Sequence, residues 1–196
     1  FSRESQVLLY PHYVRVRAAE NAPRDLIRVL ERRHCLAEII ECGVDVHTQS
    51  NLADTYHTLG RFDQALRSRR DAYSGFVRFL GESSQKTLIA ATNYAACLGT
   101  LQRYGEAKVL MRKTMPVAQR VLGESNEITL RMRLSYGMAL CQDPAATIDN
   151  LREAVTTHEE VARTARRVFG GAHPFVGVIE RALPFSRALL HSRETP

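Results

Sequence analysis

Tryptophan is absent from the 196 residues, four are cysteine, and lysine occurs only at Lys86, Lys108 and Lys113. The cysteines, Cys35, Cys42, Cys97 and Cys141, lie far apart. They lack the short paired spacings of a disulfide-dense secreted domain or a structural zinc site. His34-Cys35 followed by Cys42 comes nearest to a ligand set, but it sits in an apolar helical stretch and reads as buried small side chains. No metal and no cofactor is expected, and thiols of this kind point to an intracellular, cytoplasmic location. No apolar run approaches the roughly 18 residues that a membrane-crossing helix needs. There is also no Gly-rich phosphate loop, no His-Glu-x-x-His pair and no nucleophile-elbow serine. Glu159 and Glu160 are adjacent, so they cannot face one substrate from a helix. Catalysis is not expected. The chain opens on Phe1 rather than methionine, so it is expected to be a fragment or a processed product.

Apolar residues make up 44% and charged residues 24%, which excludes a disordered or collagen-like chain. The formal charge of +6 is carried almost wholly by arginine, which raises the question of nucleic acid. However, the arginines are mixed with acids along the helices. Arg67, Arg69 and Arg70 run straight into Asp71, and Arg163, Arg166 and Arg167 fall where a helix should end. A solvated helix face accounts for such a pattern, and nucleic acid is disfavoured as a partner.

Internal self-similarity is the strongest signal. Asn51-Leu-Ala53 returns as Asn93-Tyr-Ala95, Phe62-Asp-Gln-Ala65 as Tyr104-Gly-Glu-Ala107, and Leu80-Gly-Glu82 as Leu122-Gly-Glu124. Each interval is 42 residues. A third copy carries Ser135-Tyr-Gly137, Leu151-Arg-Glu-Ala154 and Phe169-Gly170, with five extra residues around Asp143-Pro144-Ala145-Ala146-Thr147. Within each unit the apolar period is helical: Leu52, Ala53 and Tyr56 share one face, and a second stripe follows Gly60 through Phe62, Ala65, Leu66, Ala72, Tyr73, Phe76 and Leu80. Each unit is therefore a helical hairpin, with alanines where its helices approach closely. One hairpin cannot bury its own apolar faces, so stacking must stabilise it. Pro116 is expected to kink its helix at a cost of about 3 kcal/mol, and Asp143-Pro144 to open a helix as N-cap and first turn.

These residues resemble tetratricopeptide repeats, in particular the 42-residue kind of kinesin light chain. The pattern is a Leu-Gly opening, Asn-Leu-Ala, then Gly-x-Tyr-x-x-Ala; Phe169-Gly-Gly-Ala-His173-Pro174 looks like a fourth opening. Gln102 replaces a turn glycine, Ser135 replaces asparagine, and Pro184 is expected to interrupt the last helix. The resemblance implies an all-α, right-handed superhelix, an α-solenoid of stacked antiparallel hairpins. The expected organisation is a degenerate N-terminal hairpin over 1–42, a repeat array over 43–192 and a tail at 193–196. The units of the array run from about 43–80, 81–122 and 123–170, with a partial unit over 171–192.

If the first helix of each hairpin packs its Leu52/Ala53/Tyr56 face inward, its opposite face lines the concave side. His47, Asn51, Asp54 and Thr58 fall in one narrow sector. Their equivalents are Ile89, Asn93, Ala96 and Thr100, then Arg131, Ser135, Met138 and Gln142. A side-chain amide both donates and accepts, which suits an extended peptide backbone. The resemblance implies that asparagines at the Asn51 and Asn93 positions contact ligand peptides. The alternative is that they bond a neighbouring helix and fix the packing, while His47 and His57 read as surface histidines. Arg131 can pair with an acidic ligand side chain, and Ile89, Ala96 and Met138 supply apolar contact. The expected function is non-catalytic binding of a protein or peptide segment on the concave face, as a scaffold or adaptor. Its rivals are an arginine-lined solenoid binding nucleic acid and a self-assembling repeat protein. The latter would associate through Phe175, Ile179, Leu183, Leu189 and Leu190 of the C-terminal helix.

Overall fold

Glycine conformation sets the register of the helices. Gly81, Gly123 and Gly170 each follow a long helix with φ/ψ near 79/167°, 90/160° and 78/159°. That region is essentially closed to residues with a Cβ, which is why Leu-Gly recurs there. The computed structural model describes the backbone of residues 46–195 and the side chains of residues 52–195; the expected hairpin of 1–42 lies outside the described residues. The described residues form helices α1 Val46–Thr58, α2 Phe62–Leu80, α3 Gln85–Thr100, α4 Tyr104–Leu122, α5 Glu127–Gln142, α6 Ile148–Phe169 and α7 Pro174–Glu194. No strand occurs among them. α1, α3, α5 and α7 are the first (A) helices of successive hairpins, and α2, α4 and α6 are the second (B) helices.

Two of the turns inside the hairpins close on a left-handed residue, glycine in one and glutamine in the other. After α1, the amide of Arg61 donates to the Tyr56 carbonyl at 2.8 Å, with Gly60 left-handed at φ 71°. After α3, Arg103 donates to the Leu98 carbonyl at 2.9 Å, but Gln102 takes the left-handed position at φ 59°. The chain closes the helix in the same Schellman fashion, against a steric cost of about 1 kcal/mol.

The five extra residues of the third unit are divided between turn and helix. The turn after α5 is two residues longer than the one after α3, and α6 at 22 residues is three longer than α4 at 19. Asp143 does not open α6, contrary to the sequence expectation. It ends α5, accepts the Ala145 amide at 2.9 Å and pairs with Lys108 at 2.6 Å. Lys108 holds the Asp143 carboxyl below the usual carboxylate range. The cap is Thr147, in a reciprocal capping box with Asn150. Pro184 does not interrupt α7, and α4 likewise runs through Pro116. Both prolines are on exposed faces, where water can take the carbonyl they leave unbonded.

The core is a chain of joints rather than one centre. Ala72, Phe76 and Ala90 join α2 to α3. Leu88, Ala95, Met111, Ala118, Met132, Tyr136 and Leu151 join α3 through α6. Leu130, Val161, Ala165, Phe175, Val176 and Ile179 join α5, α6 and α7. Each cluster spans two consecutive hairpins, as a stacked array requires. Outside the apolar contact, α6 and α7 are laced antiparallel by three ion pairs, Arg152–Glu194 at 2.9 Å, Arg187–Glu159 at 2.6 Å and Arg166–Glu180 at 2.8 Å. The partners advance seven residues at a time on α6 while falling seven on α7, and the charge sign alternates. Being exposed, each pair is worth about 0–1 kcal/mol, so the lacing specifies register more than it adds stability.

The third hairpin shows how tightly its two helices are fitted. His158 of α6 is fully buried, with Nε2 3.3 Å from the Leu134 carbonyl on α5 and Nδ1 3.1 Å from Ser186 Oγ on α7. A carbonyl only accepts, so the proton belongs on Nε2, and Nδ1 faces the Ser186 hydroxyl, whose one proton is shared with the Leu183 carbonyl at 3.0 Å. Gly137 lies directly beneath the ring; a Cβ there would stand 2.4 Å from Nε2. The same register positions hold Ala95 and Met111 in the second unit, both in one core cluster. Methionine bends around an alanine; a rigid imidazole requires glycine.

Gly137→Ala is therefore expected to destabilise the fold by about 1–3 kcal/mol through overpacking. Adding His158→Met, which copies the second unit, should recover most of that loss in urea denaturation. Burial holds the His158 imidazole below its ordinary 6.5, outweighing the carbonyl bond that raises it. The unfolded chain then takes up this proton first. Stability from His158 is complete above 6.5 and is lost as pH falls below that value through the depressed folded-state one. Urea midpoints from pH 7.5 to 5.5 should fall more steeply for the native protein than for the Gly137→Ala/His158→Met variant.

Candidate functional site

The contacts between helices show which row lines the inside of the array. α1 touches α3, α3 touches α5, and α5 touches α7, whereas each B helix lies against the A helices on either side and has no comparable contact with another B helix. In a curved double row the members in mutual contact form the inner arc. The A helices therefore present the concave face.

Their outward residues are the ones the sequence singles out, and the structure treats them unequally. Of His47 and Asn51 only the backbone, in α1, is described. Asp54 is exposed and bonded to Arg69 of α2 at 2.5 Å. Thr58 and Thr100 are exposed, with hydroxyls donated to the carbonyls of Asp54 and Ala96, at 2.9 and 3.0 Å, within their own helices. Those oxygens keep acceptor capacity, but the donors are spent locally. Ile89 is half-buried against the Ala72–Phe76–Ala90 joint. Asn93 and Ser135 are half-buried; Ala96 and Gln142 are exposed. Met138 is half-buried and packs against both larger clusters, spanning the joint between the second and fourth units.

Arg131 is engaged within the fold. Its Nε donates to Glu127 at 2.8 Å, and its guanidinium sits 4.8 Å from the centre of the Phe175 ring on α7. It caps an aromatic side chain of the next hairpin instead of standing free as a ligand clamp. Arg69 stands in the mixed-sign run Arg67–Asp71, which the sequence reads as a solvated face of a B helix. It reaches the A-helix row through the hairpin fold, its side chain only 13% exposed. At the same register position the later units place Met111 and His158, so nothing in the repeat pattern marks it.

The face is thus an amide, hydroxyl and apolar surface with its charges paired. Burial pushes the Cys97 thiol up, and that of Cys141 up to about 11, so neither is a ready nucleophile. Among the described residues no three His, Cys, Asp or Glu side chains gather as a metal set, and no helix is long and apolar enough to cross a membrane. Of the apolar residues that suggested an open C-terminal face, Phe175 and Ile179 are fully buried, and Leu183, Leu189 and Leu190 are half-buried, the last two against the cluster shared by the second and third units. On α7 the exposed large apolar side chain is Phe185.

Residues 45–120 match the tetratricopeptide repeat family. That stretch carries tetratricopeptide repeats. Over 131 residues it is 28% identical to a clustered mitochondria protein homolog of Yarrowia lipolytica, a match that covers 64% of this chain and 11% of that protein. The chain thus spans about a ninth of that relative's length. The fold also matches the crystal structure of BtubC (BKLC) from P. vanneervenii with a TM-score of 0.60 and 16% identity, over 88% of this chain and 76% of that one. At that identity the likeness speaks to fold, and the fold is a tetratricopeptide-like helical solenoid.

Removing the Asp54 carboxylate by Asp54→Ala leaves Arg69 without that partner, and should cost about 1 kcal/mol in urea denaturation. Thr100→Ala, at the register equivalent of Thr58, should stay within about 0.5 kcal/mol of the native protein. This contrast separates a side chain committed to the hairpin from one left to the groove.

Proposed function

We propose that the concave face of the A helices binds an extended polypeptide segment of a partner protein, without covalent chemistry. Tetratricopeptide arrays generally mediate protein–protein interaction, and this chain acts as a scaffold or adaptor of that kind. The supporting observation is the chemistry of the inner row. Asn93, Ser135 and Gln142 supply amide and hydroxyl groups beside Ile89, Ala96 and Met138, while Asp54 and Arg131 are held by Arg69 and Glu127. Such a surface suits peptide backbone and small apolar side chains better than a charged terminus or a phosphate. His47, Asn51, Thr58 and Thr100 complete the proposed groove. The proposed array runs over 43–192, with its four units as read from the sequence. Two buried free thiols, Cys97 and Cys141, fit an intracellular setting.

Random-peptide display against the immobilised protein supplies the test. Selected peptides are expected to bind with micromolar affinity, and Asn51→Ala with Asn93→Ala to weaken them roughly tenfold while helicity is retained. Unchanged affinity in a helical double variant overturns the groove. Loss of helicity instead assigns both asparagines to packing, and Met138→Ala then reads the groove in their place.

A further inference from the structure

The last nine residues of all three B helices, 72–80, 114–122 and 161–169, contain no aspartate or glutamate. Near the end of each stands the same pair: Arg78-Phe79, Arg120-Val121 and Arg167-Val168. Phe79, Val121 and Val168 are 46%, 44% and 45% exposed, nearly identical in three units whose sequences otherwise diverge. Their apolar character is not needed for the adjoining core, because Phe76, Ala118 and Ala165 fill it three residues earlier.

The arginines are equally uncommitted. Arg120 and Arg167 are exposed and form no ion pair with any described residue, and Arg78 lies 5.4 Å from the centre of its neighbour's ring. The acids of the following turns are turned elsewhere, Glu82 to Lys113 at 2.7 Å and Glu124 toward Arg133 at 3.8 Å. The third turn, 171–173, has no acid at all. A cation in the last turn favours the helix dipole, which accounts for arginine but not for an exposed valine or phenylalanine beside it. The array therefore carries, along the edge where B helices end, a row of alternating guanidinium and apolar groups with no internal counterpart.

We propose that this edge is a second docking surface, separate from the groove, for an acidic protein segment with apolar residues interleaved among its carboxylates. Guanidinium matches carboxylate bidentately, and the apolar member of each pair selects polypeptide over a bare phosphate backbone. Three repeats of a weak contact act together through the rigid spacing of the hairpins.

The test is fluorescence anisotropy with a labelled synthetic peptide of alternating Asp-Asp and Leu-Leu pairs, with oligouridylate and phosphatidylserine vesicles as comparison probes. The Asp/Leu peptide is expected to bind with salt-sensitive affinity. Arg120→Glu/Arg167→Glu and, separately, Val121→Ser/Val168→Ser should each weaken it by roughly tenfold or more, while Asn93→Ala leaves it unchanged. Wild-type affinity in the valine variant, or equal binding of RNA or vesicles with the same arginine dependence, overturns the proposal in favour of a plain electrostatic face. Should thermal melts show that the Arg→Glu variant is unfolded, Arg120→Gln/Arg167→Gln gives the same reading.

Discussion

Every feature of this molecule depends on how near the two helices of a hairpin can come. The A helix offers its smallest residue at that crossing, Ala53, Ala95 or Gly137, and the register position on the B helix holds Arg69, Met111 or His158. The three solutions differ chemically while keeping the hairpin closed. A guanidinium escapes sideways to Asp54, a thioether bends into the core, and an imidazole is accommodated by deleting a methyl group and supplying two polar partners. Close packing makes these choices interdependent, since a void or an overlap of one methyl group is felt across the joint.

From that closure the rest of the architecture follows. A hairpin pressed together still has an apolar side to cover, and the next hairpin covers it, so the core becomes a series of shared joints. The A helices then meet one another along the inner arc and the B helices spread outward. One buried hydroxyl shows the limits of the repeat. Thr87 donates to the Gly81 carbonyl at 2.7 Å, whereas Thr129, at the equivalent position, is buried with no partner for its Oγ1, and the next unit places Val176 there. The hydroxyl is useful in one joint, orphaned in the second and absent from the third.

The division between inside and outside also separates two kinds of surface. The proposed groove is made of A-helix residues whose charges are paired, with the Thr58 and Thr100 hydroxyls turned onto their own helix. The opposite condition holds where the B helices end: guanidinium groups without acids, beside apolar side chains left nearly half exposed. Scattered exposed apolar residues need no explanation, but three at one register position with near-equal exposure form a pattern.

The all-helical solenoid was legible because stacking imposes a period, and a period survives in one dimension. Recurrence of Asn-x-Ala, of an aromatic residue three before alanine, and of Leu-Gly needs no knowledge of distances. The caps were less so: Asp143 looked like a helix start because Asp-Pro commonly is one, yet Lys108, 35 residues earlier, drew its carboxylate into an interhelical pair. Pro184 looked like a break, but an exposed proline is tolerated where water reaches the freed carbonyl. Sequence alone determined the repeat, the hairpins and the set of residues that face one way on each A helix, because helical periodicity is a local property. Only the tertiary structure decided which of those residues are engaged. Arg131 over Phe175, Asp54 with Arg69 and Gly137 beneath His158 each join positions on different helices, and such distances are set by packing.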